Sequence, residues 1–153
     1  MTPIQSVAHC IHDPAARKWS DENNRIFAAY CWEVHRCGPS ECGADAIMID
    51  TAAWQIWHER VGTPCWSEID VERWLDRFAG TTPDDETRRH HAVITLHAFY
   101  CFLVKHQHLS PQQALKVVDQ LEPLTARAVE QLLPALMATG PADASRSQAR
   151  SLN

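Results

Sequence analysis

The sequence predicts an all-α fold: a single compact bundle of about five to six helices around a central apolar helix at about 83–108. Three observations carry this expectation. Glycine is scarce, with five in 153 residues, while Ala, Leu, Arg, Glu and Gln, which lose little rotamer freedom in a helix, are plentiful. Two stretches open with strong helix-start chemistry, Thr82-Pro83-Asp84-Asp85-Glu86 and Ser110-Pro111-Gln112-Gln113. Between them, the run Ala92–Val104 has no polar stripe, as expected of a helix buried on most sides.

The elements follow in chain order. Residues 1–19 hold Pro3 and Pro14 without a sustained period and read as an irregular or partly helical N-terminal arm. The helical domain is expected over 20–139. Ser20 offers a capping hydroxyl, Asp21 and Glu22 complement the positive dipole end, and Ile26, Phe27, Tyr30 and Val34 follow at helical spacing until Gly38-Pro39. Ala44–Ile49 reads as a short turn or extended piece, after which Asp50 caps a helix from Thr51 to about Val61. Ser67-Glu68-Ile69-Asp70 has the form of a capping box ahead of the stripe Val71, Trp74, Leu75 and Phe78. After the central helix, one helix runs from Ser110 to about Glu122 and another from Thr125 to about Thr139, with Pro123 breaking the chain and Pro134 kinking or splitting the last helix. Residues 140–153 are small and polar and read as a disordered tail.

Charge is uneven. Residues 1–70 carry five Lys/Arg against ten Asp/Glu, and residues 71–153 carry nine of each, which together give the net −5. Phosphate neutralisation dominates affinity for nucleic acid, so this balance opposes strong autonomous DNA binding and leaves room only for a local basic patch. No secretory signal and no membrane-spanning run is present, so the cytoplasm is the expected compartment and no membrane partner is predicted. In that compartment the six cysteines read as reduced thiols, buried side chains or metal ligands.

The densest set of potential ligands is Cys31, His35, Cys37 and Cys42. Cys31 and His35 lie four apart on one helix, and the other two follow in the Gly38-Pro39 turn. Three sulfurs and an imidazole match the donor set of tetrahedral zinc, although Cys31 equally fits a core position beside Tyr30 and Val34. No other cofactor is expected. His9, Cys10 and His12 form a weaker cluster. Six tryptophans (Trp19, Trp32, Trp54, Trp57, Trp66, Trp74) suit helix packing, and Trp54 and Trp57, three apart beside Ile56, are candidate protein-interface residues. The chain lacks a P-loop, a Gly-rich dinucleotide turn, a Gly-x-Ser-x-Gly elbow and a His-Glu-x-x-His pair, so it is not expected to be an enzyme.

Ile69-Asp70-Val71-Glu72-Arg73-Trp74-Leu75, then Thr87-Arg88-Arg89-His90, Leu96, Phe99-Tyr100 and Phe102-Leu103-Val104 carry a family resemblance. Over residues 66–124 the chain resembles the SAM-like core-binding domain of tyrosine recombinases and phage integrases. The resemblance implies that Thr87, Arg88, Arg89 and Lys105 face DNA and that the aromatic-leucine stretch is core. No later stretch matches the catalytic domain, and the only tyrosines, Tyr30 and Tyr100, lie before or inside the region, so strand exchange is not expected. The sequence thus supports two readings. One is a non-catalytic, helical DNA-associated protein whose partner is DNA or a DNA-processing protein. The other is an acidic protein-interaction module, such as an inhibitor, immunity or adaptor protein, with a basic partner, and zinc would stabilise either.

Overall fold

In a computed structural model that describes residues 13–138, the chain is all-α, with five α-helices among the described residues. They are α1 (Pro14–His35), α2 (Gly43–Glu59), α3 (Val71–Phe78), α4 (Glu86–Lys105) and α5 (Pro111–Ala138). The expected 140–153 tail and the His9, Cys10 and His12 cluster lie outside these residues. No described helix is long and apolar enough to cross a membrane.

α1 starts earlier than the sequence predicts, so residues 14–19 belong to a helix and not to an irregular arm. Asp13 supplies the cap: its carboxylate accepts the Ala15 and Ala16 backbone N–H groups at 2.9 and 3.4 Å, and Pro14 occupies the first turn. Ser20 lies buried inside the helix, on the stripe Ala16, Trp19, Asn23, Phe27, Tyr30 and Cys31. Arg36, in the left-handed region at φ 56, ends it.

α2 merges two expected segments, and Asp50 lies inside the helix instead of capping it. Ala46, Ile49, Ala53 and Ile56 make one unbroken buried stripe at helical spacing, which leaves no place for a break. A 3-10 turn at Trp66–Glu68 precedes α3, whose cap is Asp70, accepting the Arg73 N–H at 3.1 Å.

α4 is shorter at both ends than the expected 83–108. Pro83–Asp85 forms a 3-10 turn in which Asp85 accepts from the Thr82 hydroxyl at 2.6 Å and the Thr82 N–H at 3.2 Å. Gly80, at φ +87, is required in this corner, because a Cβ there would overlap the Asp85 carboxylate. The far end stops at Lys105, and Gln107 turns into the left-handed region at φ 60. Val93, Leu96, Phe99, Tyr100, Phe102 and Leu103 are buried, but His91, Cys101 and Lys105 are exposed, so one side of the helix meets solvent.

α5 is a single helix through Pro123 and Pro134, where the sequence predicts a break and a kink. Its start is the expected capping box, with Ser110 and Gln113 exchanging hydrogen bonds at 3.1 Å each. Each proline removes one bond to a carbonyl four residues earlier, at Asp119 and Glu130. Asp119 and Glu130 are exposed residues, while Val117, Leu121 and Ala128 carry the buried stripe past Pro123.

α4 and α5 make the most extensive helix pair, with α2 and α3 packed against α4 and α3 also touching α5. Three buried indoles donate their N–H groups: Trp19 to the Ala53 carbonyl, Trp66 to Asn23 Oδ1 at 2.9 Å, and Trp74 to Thr51 Oγ1 at 3.0 Å. Leu96 is fully buried. Leu96→Ala is therefore expected to cost about 3 kcal/mol by urea denaturation, against less than about 0.5 kcal/mol for the exposed Cys101→Ser. Equal losses would contradict this packing.

Candidate functional site

The expected DNA-facing residues lie at opposite ends of α4. Arg88 and Lys105 are 17 positions apart, a rise of about 25 Å at 1.5 Å per residue. Thr87 and Arg88 are exposed and Arg89 is half-buried. Each cation faces a carboxylate. Arg88 Nη1 lies 3.6 Å from Asp85 Oδ1, and Arg89 Nη1 binds Asp76 Oδ1 at 3.0 Å and the Gly80 carbonyl at 2.6 Å. Lys105 Nζ reaches Glu33 Oε1 at 2.7 Å, and His106 Nε2 meets the same oxygen at 3.0 Å. Hydrogen bonds from Lys105 and then His106 hold the Glu33 carboxyl below its usual range. The four residues do not form one bare basic face.

The two candidate interface tryptophans also have intramolecular partners. Trp57 is buried, with the Arg60 guanidinium 3.4 Å from its ring centroid. Trp54 is half-buried against His58 and Phe78, with Arg77 4.5 Å from its centroid. The tryptophan left open to solvent is Trp32, at 63% exposure. Its helical neighbours Ala28 and Ala29 are too small to cover it, a feature the sequence did offer.

The cysteine set does come together. Arg36 ends α1, and a 3-10 turn at Pro39–Glu41 folds the chain back so that Cys42, the N-cap of α2, meets Cys37 with the two sulfurs 2.8 Å apart. Cys31, fully buried on α1, hydrogen-bonds Cys42. Burial and then that hydrogen bond push the Cys31 thiol far above its ordinary range. The hydrogen bond with Cys42, more than burial, raises Cys37 to about 11. His35 leaves the set: its Nε2 pairs with Asp45 Oδ2 at 2.7 Å, and the same oxygen accepts the Tyr30 hydroxyl at 3.0 Å. Burial, followed by the Asp45 charge, drives the Tyr30 phenol well upward. Sequence reading missed Asp45, a first-turn acid of α2 that only the chain reversal brings to α1.

As placed, these residues do not fit zinc. Two thiolates on one tetrahedral ion stand about 3.8 Å apart, given zinc–sulfur bonds of about 2.3 Å. The imidazole is engaged elsewhere, and among the described residues no group of three or more His, Cys, Asp or Glu side chains is arranged to hold a metal ion.

No family model, no curated protein and no solved structure matches the chain.

A second surface feature emerges on α5. Val129, Leu133 and Met137, four residues apart, are 46, 48 and 74% exposed, so they form one apolar stripe on the distal third of the helix. Spacing by four puts them on one face only of a helix that continues through Pro134, and whether another element covers that face depends on tertiary packing.

The Thr82–Asp85 corner gives a pH prediction. Hydrogen bonds from the Thr82 hydroxyl and N–H lower the Asp85 carboxyl, with Arg88 and Arg89 adding to them. A depressed carboxyl stabilises the fold above its unfolded value and loses that contribution as pH falls through the folded one. Asp85→Asn is expected to melt below the parent at neutral pH, with the gap closing below about pH 4. A gap independent of pH would contradict the ion-pair and capping role.

Proposed function

We propose that the chain is a non-catalytic protein-interaction module that presents the distal third of α5 to an apolar groove on a basic partner. The observation that carries this reading is the stripe Val129, Leu133 and Met137, open to solvent on a helix whose proximal two thirds are packed. An amphipathic helix laid into a groove uses such spacing for its anchors. Contiguous exposed apolar side chains on a soluble domain mark contact sites. Asp143, Arg146 and Arg150 lie outside the described residues, and removing them from the chain totals leaves 12 Lys/Arg against 18 Asp/Glu over 13–138. That surplus favours a partner of positive charge and makes association faster at low salt.

The DNA-associated reading rests on the resemblance of residues 66–124 to a recombinase core-binding domain, with Arg88 and Lys105 exposed at the two ends of α4. Their carboxylate partners, Asp85 and Glu33, weigh against it, since each phosphate contact must first displace an ion pair. Fluorescence anisotropy with duplex DNA at about 50 mM salt separates the two readings. The interaction module shows no binding, whereas salt-steep binding lost in Arg88→Gln/Lys105→Gln would establish the DNA reading in its place.

The α5 face is tested with Leu133→Ser/Met137→Ser. Anchors of this kind contribute about 2 kcal/mol or more each, so the double variant is expected to weaken partner binding at least about 30-fold. Affinity capture at about 150 mM salt, followed by titration of the captured protein, reads this loss. The melting temperature should not change. Capture of no stoichiometric partner, or undiminished affinity, would overturn the proposal. A fall in melting temperature would show that the stripe packs against the chain itself.

A further inference from the structure

We propose that Cys37 and Cys42 are a site of reversible oxidation that closes to a disulfide across the α1–α2 corner. The inference is independent of the α5 face. Free thiols stand at both positions, with sulfurs 2.8 Å apart, closer than two sulfurs in ordinary contact and within about 0.8 Å of a disulfide bond of about 2.05 Å. Backbone hydrogen bonds shape the corner that holds them there. The Cys42 backbone N–H binds the Pro39 carbonyl at 3.2 Å, the Glu41 N–H binds the Gly38 carbonyl at 3.1 Å, and Cys42 Sγ lies 3.5 Å from that same Gly38 carbonyl. Bond formation therefore requires a small approach of two side chains and no rearrangement of either helix.

Cys37 is half-buried and open to a small oxidant, while Cys42 and Cys31 are enclosed. Cys31 also touches Cys42, but it is fully enclosed in the core on the α1 stripe, where peroxide does not reach it. Hydrogen peroxide serves as the oxidant. One sulfur, as thiolate, attacks a peroxide oxygen, the O–O bond breaks, and a sulfenic acid and one water form. The second sulfur then displaces the hydroxyl group as a second water and the S–S bond closes. Two thiols have lost two protons and two electrons, and peroxide has been reduced to two waters. A dithiol reductant reverses the step by thiol–disulfide exchange.

The test uses the full chain, reduced, desalted and treated with a small excess of hydrogen peroxide, then acid-quenched, alkylated and mapped by mass spectrometry. The expected product is about 2 Da lighter before alkylation, carries a Cys37–Cys42 link, melts at higher temperature and returns to the parent with dithiothreitol. Cys37→Ser and Cys42→Ser should lose the product, and Cys101→Ser should keep it. Three results would overturn the proposal: no link, individual oxidation to sulfinic or sulfonic acid, or a link that uses any other cysteine. The map of the unsubstituted protein decides the pairing even where a serine variant fails to fold.

Discussion

The buried indole of Trp66 is the contact on which the arrangement of helices depends. It sits in the short turn between α2 and α3, yet it touches the two long elements that must be joined. Its ring centroid lies 5.6 Å from Trp19 of α1, and 5.0 and 6.1 Å from Phe99 and Tyr100 of α4. Its N–H donates to buried Asn23 of α1, and its own carbonyl accepts the Tyr100 hydroxyl. Aromatic burial supplies the driving force, and the hydrogen bonds fix the register, because a buried donor without a partner costs about 1–3 kcal/mol. Burial accordingly drives the Tyr100 phenol well above its ordinary range. With α1 fixed to α4 here, Tyr30, about two turns beyond Asn23 on α1, packs edge-on against Phe99 and Phe102. That contact places the end of α1 where the cysteine corner and the Glu33–Lys105 pair form.

Much of this was legible in the sequence, for identifiable reasons. The α4 and α5 starts could be read because Thr82-Pro83 and Ser110-Pro111 put a capping hydroxyl, a proline and a side chain that reaches back to the cap in fixed order, all local chemistry. Two sites compete for the α1 start, Asp13-Pro14 and Ser20-Asp21. Burial of Trp19 against Ala53 and Trp66, which no local rule contains, decides between them. Asp50 has the same history: it is a good cap residue overruled by the unbroken stripe from Ala46 to Ile56. Pro123 is a local stop signal, overruled by the buried stripe Val117, Leu121 and Ala128 that continues past it.

The candidate sites divide along the same line. Clustering of Cys31, Cys37 and Cys42 was visible as spacing, since a helix end followed by Gly38-Pro39 must turn back on itself. His35 was assigned to the same cluster because it lies four residues from Cys31. Asp45 competes for it, however, and a carboxylate brought in by a chain reversal cannot be seen from position alone. The cations of α4 failed as a bare patch for a similar reason, with Glu33 coming from 72 residues away to meet Lys105. Exposure of Val129, Leu133 and Met137 depends on the length of α5 relative to the elements it packs on, a tertiary quantity.

The thiol corner and the Glu33–Lys105 pair therefore both presuppose that α1 is fixed to α4 through Trp66. A double-mutant cycle on Trp66→Phe and Asn23→Ala measures that joint most directly. Phenylalanine keeps most of the ring and removes the N–H, and alanine removes the acceptor. The structure predicts that each single change is destabilising and that the two together cost about 1–2 kcal/mol less than their sum. Additivity to within about 0.5 kcal/mol would mean that the buried hydrogen bond does not set the register of α1, and would contradict the account.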